Sequence, residues 1–194
     1  MSGKKAGIIT ISLLILLELL AFAGMCNAAE VSEITYRISN NELYVSTMIR
    51  PDQKIMNDLN DGLSKEFIFY IDLFRVWDIW PDEFVLGTKI VAKLRSNPIK
   101  REYIAASTSG NIVREKRFND LEAMVNWATT LSDLKLTNIR ELDAGTYFVK
   151  VTAESRIRKL PPVIGYLFFF VSDKEFSVSR DSHTFQINTK GVQP

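Results

Sequence analysis

Three carboxylates lie close together in the sequence, beside two tryptophans. Asp78, Asp82 and Glu83 surround Trp80 and follow Trp77. A pair of carboxylates can hydrolyse a glycosidic bond, and carboxylates beside aromatic rings can bind sugars or calcium. The spacing matches no calcium-binding loop, however, and an acidic loop between two strands is usually solvated. The cluster therefore supports a glycan hydrolase only as an alternative hypothesis.

The other reactive residue types form no recognisable catalytic or metal site. His183, the one histidine of the chain, directly follows Asp181 and Ser182. Because adjacent residues of a strand point to opposite faces, these three side chains cannot form a catalytic triad with one another. A single histidine and a single cysteine, Cys26, nearly exclude a zinc site. The sequence thus predicts a protein that is not an enzyme and that needs no cofactor or metal ion.

Acidic and basic residues are separated along the chain. Residues 52–83 hold eight acids and three bases, whereas residues 89–117 hold eight bases and two acids. If the strands of the second segment pair, one face could carry five basic residues, Lys89, Lys93, Arg101, Arg114 and Lys116. Such a face could bind anionic lipid, an acidic partner protein or the acidic segment of the same domain. The net charge of +1 does not indicate nucleic-acid binding.

Hydrophobic alternation predicts that most of these residues lie on β-strands. Residues 32–50 are typical of a hairpin, and its Asn40-Asn41 pair can adopt the positive φ angles of a tight turn. A long strand follows over residues 67–77, and residues 84–118 form a meander pattern. We expect the charged residues above to be positioned by this meander.

Two segments have helical spacing instead. Residues 52–64 predict a short helix, and "FNDLEAMVNWATTL" predicts a second one, where Asn119 and Glu122 resemble a capping box. The predicted fold class is α+β and β-dominated, an antiparallel sheet or sandwich of about eight strands with two helices. Residues 30–194 are predicted to form one domain.

The N-terminus predicts export. Lys4 and Lys5 precede an apolar run, and small residues follow up to Ala28. This order of regions is typical of a secretory signal peptide, here over residues 1–28. We therefore expect an exported, periplasmic protein.

Two alternatives at the N-terminus stay open. Residues 6–23 are long enough for an uncleaved anchor, which would associate the protein with the inner membrane, facing the periplasm. Glu18 opposes a permanent span, since a carboxylate at mid-membrane costs roughly 2.5–3.5 kcal/mol. Cys26 could be lipidated, but Ala23 and Met25 fit the required motif poorly.

A second apolar run, Leu160 to Val171, contains the consecutive residues Phe168, Phe169 and Phe170. At 12 residues it is too short for a spanning helix, which needs about 20. The run predicts a core strand covered on both faces. In the alternative, part of it faces outward as a contact for lipid or a partner.

Three stretches resemble the DUF4390 family of exported bacterial proteins: "LNDGLSKEFIFYIDLFRVW", "FNDLEAMVNWATTL" and "LDAGTYFVKVTAESRIRKLPPV". They share a helix leading into a long strand, an F-x-x-L-x-x-A helix and a Gly-Thr-Tyr strand that ends in Leu-Pro. The resemblance covers roughly Tyr36 to Phe185, with Phe176 where a tryptophan is expected. It implies an exported protein and a shared fold, but it brings no activity and no catalytic residues.

The leading hypothesis is a non-enzymatic domain of the cell envelope that binds a partner protein or an apolar, lipid-like ligand. A ligand carrier would need an internal cavity lined by residues such as Phe67, Phe69, Phe148 and Phe168. A partner-binding module would instead show an exposed apolar patch beside the basic face. The alternatives are an envelope glycan hydrolase acting through the acids near Asp78 and an anchored periplasmic sensor domain.

Overall fold

The computed structural model describes residues 28–157 and 174–188. Residues 1–27, which include Cys26 and all but the last residue of the predicted leader, and the run containing Phe168, Phe169 and Phe170 lie outside the described residues. Within the described ranges the helices are α1 (Gln53–Asn60) and α2 (Leu121–Thr129), with a short 3-10 turn at Ile139–Glu141. The strands are β1 (Glu30–Val31), β2 (Thr35–Ser39), β3 (Glu42–Arg50), β4 (Lys65–Arg75), β5 (Glu83–Asn97), β6 (Glu102–Ser109), β7 (Ile112–Phe118), β8 (Thr130–Asn138), β9 (Gly145–Ile157), β10 (Lys174–Asp181) and β11 (Phe185–Ile187).

These strands form two antiparallel sheets, which confirms the predicted β-dominated α+β class with two helices. The smaller sheet is built around β3, which pairs with β1, β2 and β8. The larger sheet has the order β10-β9-β4-β5-β6-β7, with β11 also paired to β9. None of the helices in the described part of the chain is long and apolar enough to cross a membrane.

The core lies between the two sheets and is centred on β4. Alternate residues of β4, from Phe67 to Leu73, are fully buried, and they share one cluster with Leu43 and Val45 of β3. Burial of one such side chain contributes about 1.5–3 kcal/mol, so this layer supplies much of the driving force for folding. Both long edges of β4 are paired, with β5 and β9, which places it centrally in the larger sheet.

Local sequence signals predicted the first hairpin turn and both helices, with small differences in where the helices begin and end. Asn40 and Asn41 adopt φ angles of 54° and 63°, as a tight hairpin turn requires. The second helix begins one residue later than expected, because Asp120 and not Asn119 caps it by accepting from the amide of Ala123. Strand β8 was not predicted, since it follows α2 directly at Thr130 without a loop.

A buried ammonium group joins three elements at the start of β4. The Lys65 side chain is fully buried, and its Nζ lies 2.5 Å from a carboxylate oxygen of Asp58 and 2.5 Å from one of Glu175. Glu175 also accepts from the Ser155 hydroxyl, and Lys54 contacts both carboxylates from the solvent side. The cluster thereby fixes α1 and β10 against β4 and β9.

We expect Lys65→Met to lower the free energy of unfolding by roughly 3–5 kcal/mol, because it leaves two partly buried carboxylates short of a cation. Urea denaturation of the purified protein would measure this. The matched control is Lys150→Met, which breaks the exposed 3.8 Å pair with Asp181 and should cost less than about 1 kcal/mol. Equal losses in the two variants would contradict a structural role for the cluster.

Acid should weaken the same cluster. The hydrogen bond from Lys65 holds the pKa of Asp58 below its ordinary 3.8. Burial acts to raise the pKa of Glu175, but hydrogen bonds from Lys65, Lys54 and Ser155 bring it below its ordinary 4.5. A lowered folded-state pKa gives stability that is complete above the ordinary value and is lost as the pH falls through the folded value.

Unfolding free energies measured from about pH 7 down to about pH 3 should therefore fall below pH 4.5, and fall less steeply in Lys65→Met. Glu154 provides the background in both proteins. Its burial acts to raise the pKa, but the outcome is a lowered pKa because Lys174 and Arg156 donate to it. Parallel pH profiles would show that the Lys65 cluster does not control acid stability.

Candidate functional site

The loop between β4 and β5 exposes the largest apolar side chains at one end of the larger sheet. We call residues 76–82 the tryptophan loop. Within it Ile79 is 90% exposed and Trp80 is 75% exposed, and Phe84 follows at the start of β5 with 57%. Exposed apolar patches of this kind commonly mark interaction sites on soluble domains.

The base of the tryptophan loop is held in place by polar contacts. The guanidinium of Arg75 lies 4.4 Å from the centre of the Trp77 ring and donates to the carbonyl of Ala144 over 2.9 Å. The indole N–H of Trp77 donates to Glu83 over 3.1 Å. These contacts connect the loop to both neighbouring strands, while Ile79 and Trp80 project beyond them.

An aromatic row continues from the loop across the sheet. Phe84 contacts Phe74 edge to face at 5.8 Å, and Phe74 stacks on Phe148 at 5.4 Å between ring centres. The three rings come from β5, β4 and β9, so cross-strand pairing aligns them. The loop therefore stands at the end of a packed aromatic surface.

The acidic residues of the loop do not converge. Asp78, Asp82 and Glu83 are all exposed to solvent. None of them lines the groove at β7 and α2 or the smaller cavity beside Lys65. A glycosidase needs two carboxyl groups facing each other across a cleft, and this arrangement does not provide that geometry.

Strand register divides the basic residues that were expected to share a face. Lys93 pairs with Ala106, which pairs with Glu115, so Lys89 and Lys93 lie on the outer face of the sheet. Arg114 and Lys116 pair with Ser107 and Ala105, whose β5 partners are the buried Ala92 and Leu94. They therefore lie on the opposite face.

Arg101 lies on neither face. It belongs to the turn before β6, where its φ of 51° places it in the left-handed region. The single basic face is thus not formed, and a binding role for these residues stays a prediction. The same holds for Phe168, Phe169 and Phe170.

A groove of about 740 Å³ opens where β5, β6 and β7 extend past the smaller sheet. Strand β7 supplies Ile112 and Arg114, α2 supplies Trp127, and β8 supplies the opposite wall with Leu131 and Leu134. The groove is lined by polar and apolar residues together. Its two long walls, β7 and β8, each pair with only one strand in the described part of the chain.

Other reactive residues remain solvated or bonded to the backbone. His183 is exposed, with Nε2 3.9 Å from a carboxylate oxygen of Glu33. The Ser182 hydroxyl accepts from the amide of Val149 and donates to the His183 carbonyl. Among the described residues, histidine, cysteine and carboxylate side chains form no group of three that could hold a metal ion.

The model of one protein family matches residues 27–184, and its description is "Domain of unknown function (DUF4390)". This chain belongs to the DUF4390 family. The match confirms the resemblance of the three quoted stretches and extends beyond them at the N-terminal side. Searches of curated proteins and of solved structures gave no match.

Two features of this DUF4390 domain were missed by sequence reasoning. Trp77 was predicted to end a strand and Trp80 was considered only beside the acids, although the large apolar residues of "WDIW" between two strands could have indicated an exposed loop. The groove depends on α2 and β8 meeting β7. No local pattern in the sequence indicates that long-range contact.

Fluorescence quenching can test the exposure of the tryptophan loop. Trp80→Phe should remove the emission that acrylamide quenches most strongly, because this indole is 75% exposed. Trp127→Phe is the control, since Trp127 is half-buried and packs 5.7 Å from the Phe118 ring centre. An unchanged quenching constant in Trp80→Phe would show that the loop is covered in solution.

Proposed function

We propose that this DUF4390 protein is an exported, non-enzymatic domain of the bacterial cell envelope that binds a partner protein. The observation that carries the proposal is the exposure of Ile79 and Trp80 in the tryptophan loop. Tryptophan is among the residues that most often dominate the energy of an interface. Covering one large apolar side chain contributes about 1.5–3 kcal/mol, so two of them can anchor a contact.

The fixed base of the loop supports the same proposal. Arg75 and Glu83 hold Trp77 from two sides, so the base of the loop needs little further ordering when a partner binds. Ordering side chains at an interface costs roughly 0.5–1.5 kcal/mol each, and a preorganised loop avoids part of that cost. The N-terminal order of basic, apolar and small residues supports export.

A carrier of an apolar ligand has less support. Phe67 and Phe69, which a ligand carrier would need in the wall of a cavity, are fully buried in the packed core. Phe148 stacks on Phe74 instead of facing a cavity. Nor does an observation favour the glycan hydrolase, since its three carboxylates are exposed and do not face a cleft.

Photo-crosslinking in the native envelope would test the proposal. A benzophenone amino acid is placed at Ile79 of the full chain, with Glu122, exposed on α2, as the matched control position. We expect one discrete protein adduct from position 79 and none from position 122. Adding Trp80→Ser to the position 79 variant should reduce the adduct severalfold, because the adjacent anchor is lost.

Two results would contradict protein binding. Lipid adducts alone would favour the apolar ligand, and equal adducts from positions 79 and 122 would indicate collisions without a specific surface. The intact mass of the same sample tests export separately. A mature chain starting near Ala29 is expected, whereas an uncleaved chain would support the membrane anchor.

A further inference from the structure

Strand β7 has one unpaired edge in the described structure. It is the last strand of the larger sheet and pairs only with β6. Ser109 and Ile112 face each other across the two-residue turn Gly110-Asn111, where Gly110 has a φ of 55°. They therefore form a hydrogen-bonded pair, and the antiparallel pattern alternates from there. The N–H and C=O groups of Val113, Glu115 and Arg117 consequently point away from β6.

The charges of this edge are not balanced. Arg114, Lys116 and Arg117 form no ion pair with any described residue, and Glu115 is 3.8 Å from Arg95 on the outer face. Strand β7 carries three cations and one carboxylate, a net charge of +2. Ile112 and Val113, which precede them, are 61% and 66% exposed.

The groove lies directly beside this edge. Ile112 and Arg114 of β7 line it, and Leu131 and Leu134 of β8 form the far wall. A strand added to β7 would direct alternate side chains into the groove and the others towards solvent. The groove thus offers room for one row of side chains from an added strand.

We propose that β7 binds an extended, acidic segment of the partner protein by strand addition. The inference rests on the proposed function, and it assigns the partner's chemistry at a second surface. The outward N–H and C=O groups suit a peptide backbone. The three cations suit carboxylates on the partner, since opposite charges across a strand pair are favourable and like charges are not.

The same charges oppose pairing with a second copy of this chain. Pairing of two β7 strands would place two net charges of +2 side by side, which is unfavourable. Charged edge strands are a common protection against self-association. An acidic segment removes that repulsion. The unbalanced charge therefore selects a different chain as the occupant.

The test uses the full chain purified from its host envelope and a fluorescent synthetic peptide as long as β7. The peptide places Glu opposite Arg114 and Lys116, Asp opposite Arg117 and β-branched residues elsewhere. Anisotropy titration should show binding by this peptide and not by a version with Lys in place of Glu and Asp. The double variant Arg114→Glu/Lys116→Glu should weaken binding at least about tenfold. Lys100→Glu, an exposed lysine in the β5–β6 turn, should change it less than about twofold.

Amide hydrogen exchange gives the second readout. On peptide binding, the amides of Val113, Glu115 and Arg117 should exchange more slowly, because strand addition bonds them. Absence of acidic-peptide binding, or equal binding of the basic peptide, would overturn the proposal. So would binding without protection of these three amides, or their protection by self-association alone. The crosslink from position 79 is measured separately, so either result can fail without the other.

Discussion

The apolar inner face of β4 must be kept from water, and the arrangement of both sheets follows from this constraint. Phe67 to Leu73 cannot be covered within the larger sheet, because cross-strand neighbours extend a sheet without covering its face. The smaller sheet provides the cover through Leu43 and Val45 of β3. Since the smaller sheet is narrower, β6 and β7 extend past it, and within the described residues α2 covers them in part. The groove is the part of the inner face that these residues leave open.

Whether a charged group in this domain needs a partner of opposite charge depends on how deeply it is buried. Lys65 is fully buried and is therefore surrounded by two carboxylates, since an unpaired buried charge would be very costly. The cations of β7 are exposed, so water can solvate them without partners. The buried cation at the start of β4 therefore needs carboxylate partners, whereas the exposed cations of β7 do not. Only the β7 cations leave charge available to a partner.

Local patterns predicted most of the strands, with β8 as an exception, but they did not predict which residues share a face. The pattern over residues 67–77 predicted β4, and the Asn40-Asn41 turn was predicted correctly, because these signals come from neighbouring residues. Whether the basic residues share one face depends on the strand register, which is determined by the lengths of the β5–β6 and β6–β7 turns. A one-residue change in pairing moves every side chain of a strand to the other face. This is why Lys93 and Arg114, close in a plausible pairing, lie on opposite faces.

The edge of the larger sheet between β7 and the tryptophan loop is irregular, because β6 is shorter than β5. Strand β6 pairs with β5 only from Ile90 to Asn97, so residues 83–89 of β5 have no strand on that side among the described residues. The distance along β5 from Ile90 to Glu83 is roughly 23 Å, at about 3.3 Å per residue. An extended segment of about seven residues spans it. If a partner strand adds to β7 as proposed, its continuation past the β6–β7 turn would have to shift sideways by two strand spacings, roughly 10 Å, to follow the open edge of β5 to Phe84 and the tryptophan loop. With that shift, one chain can use both surfaces.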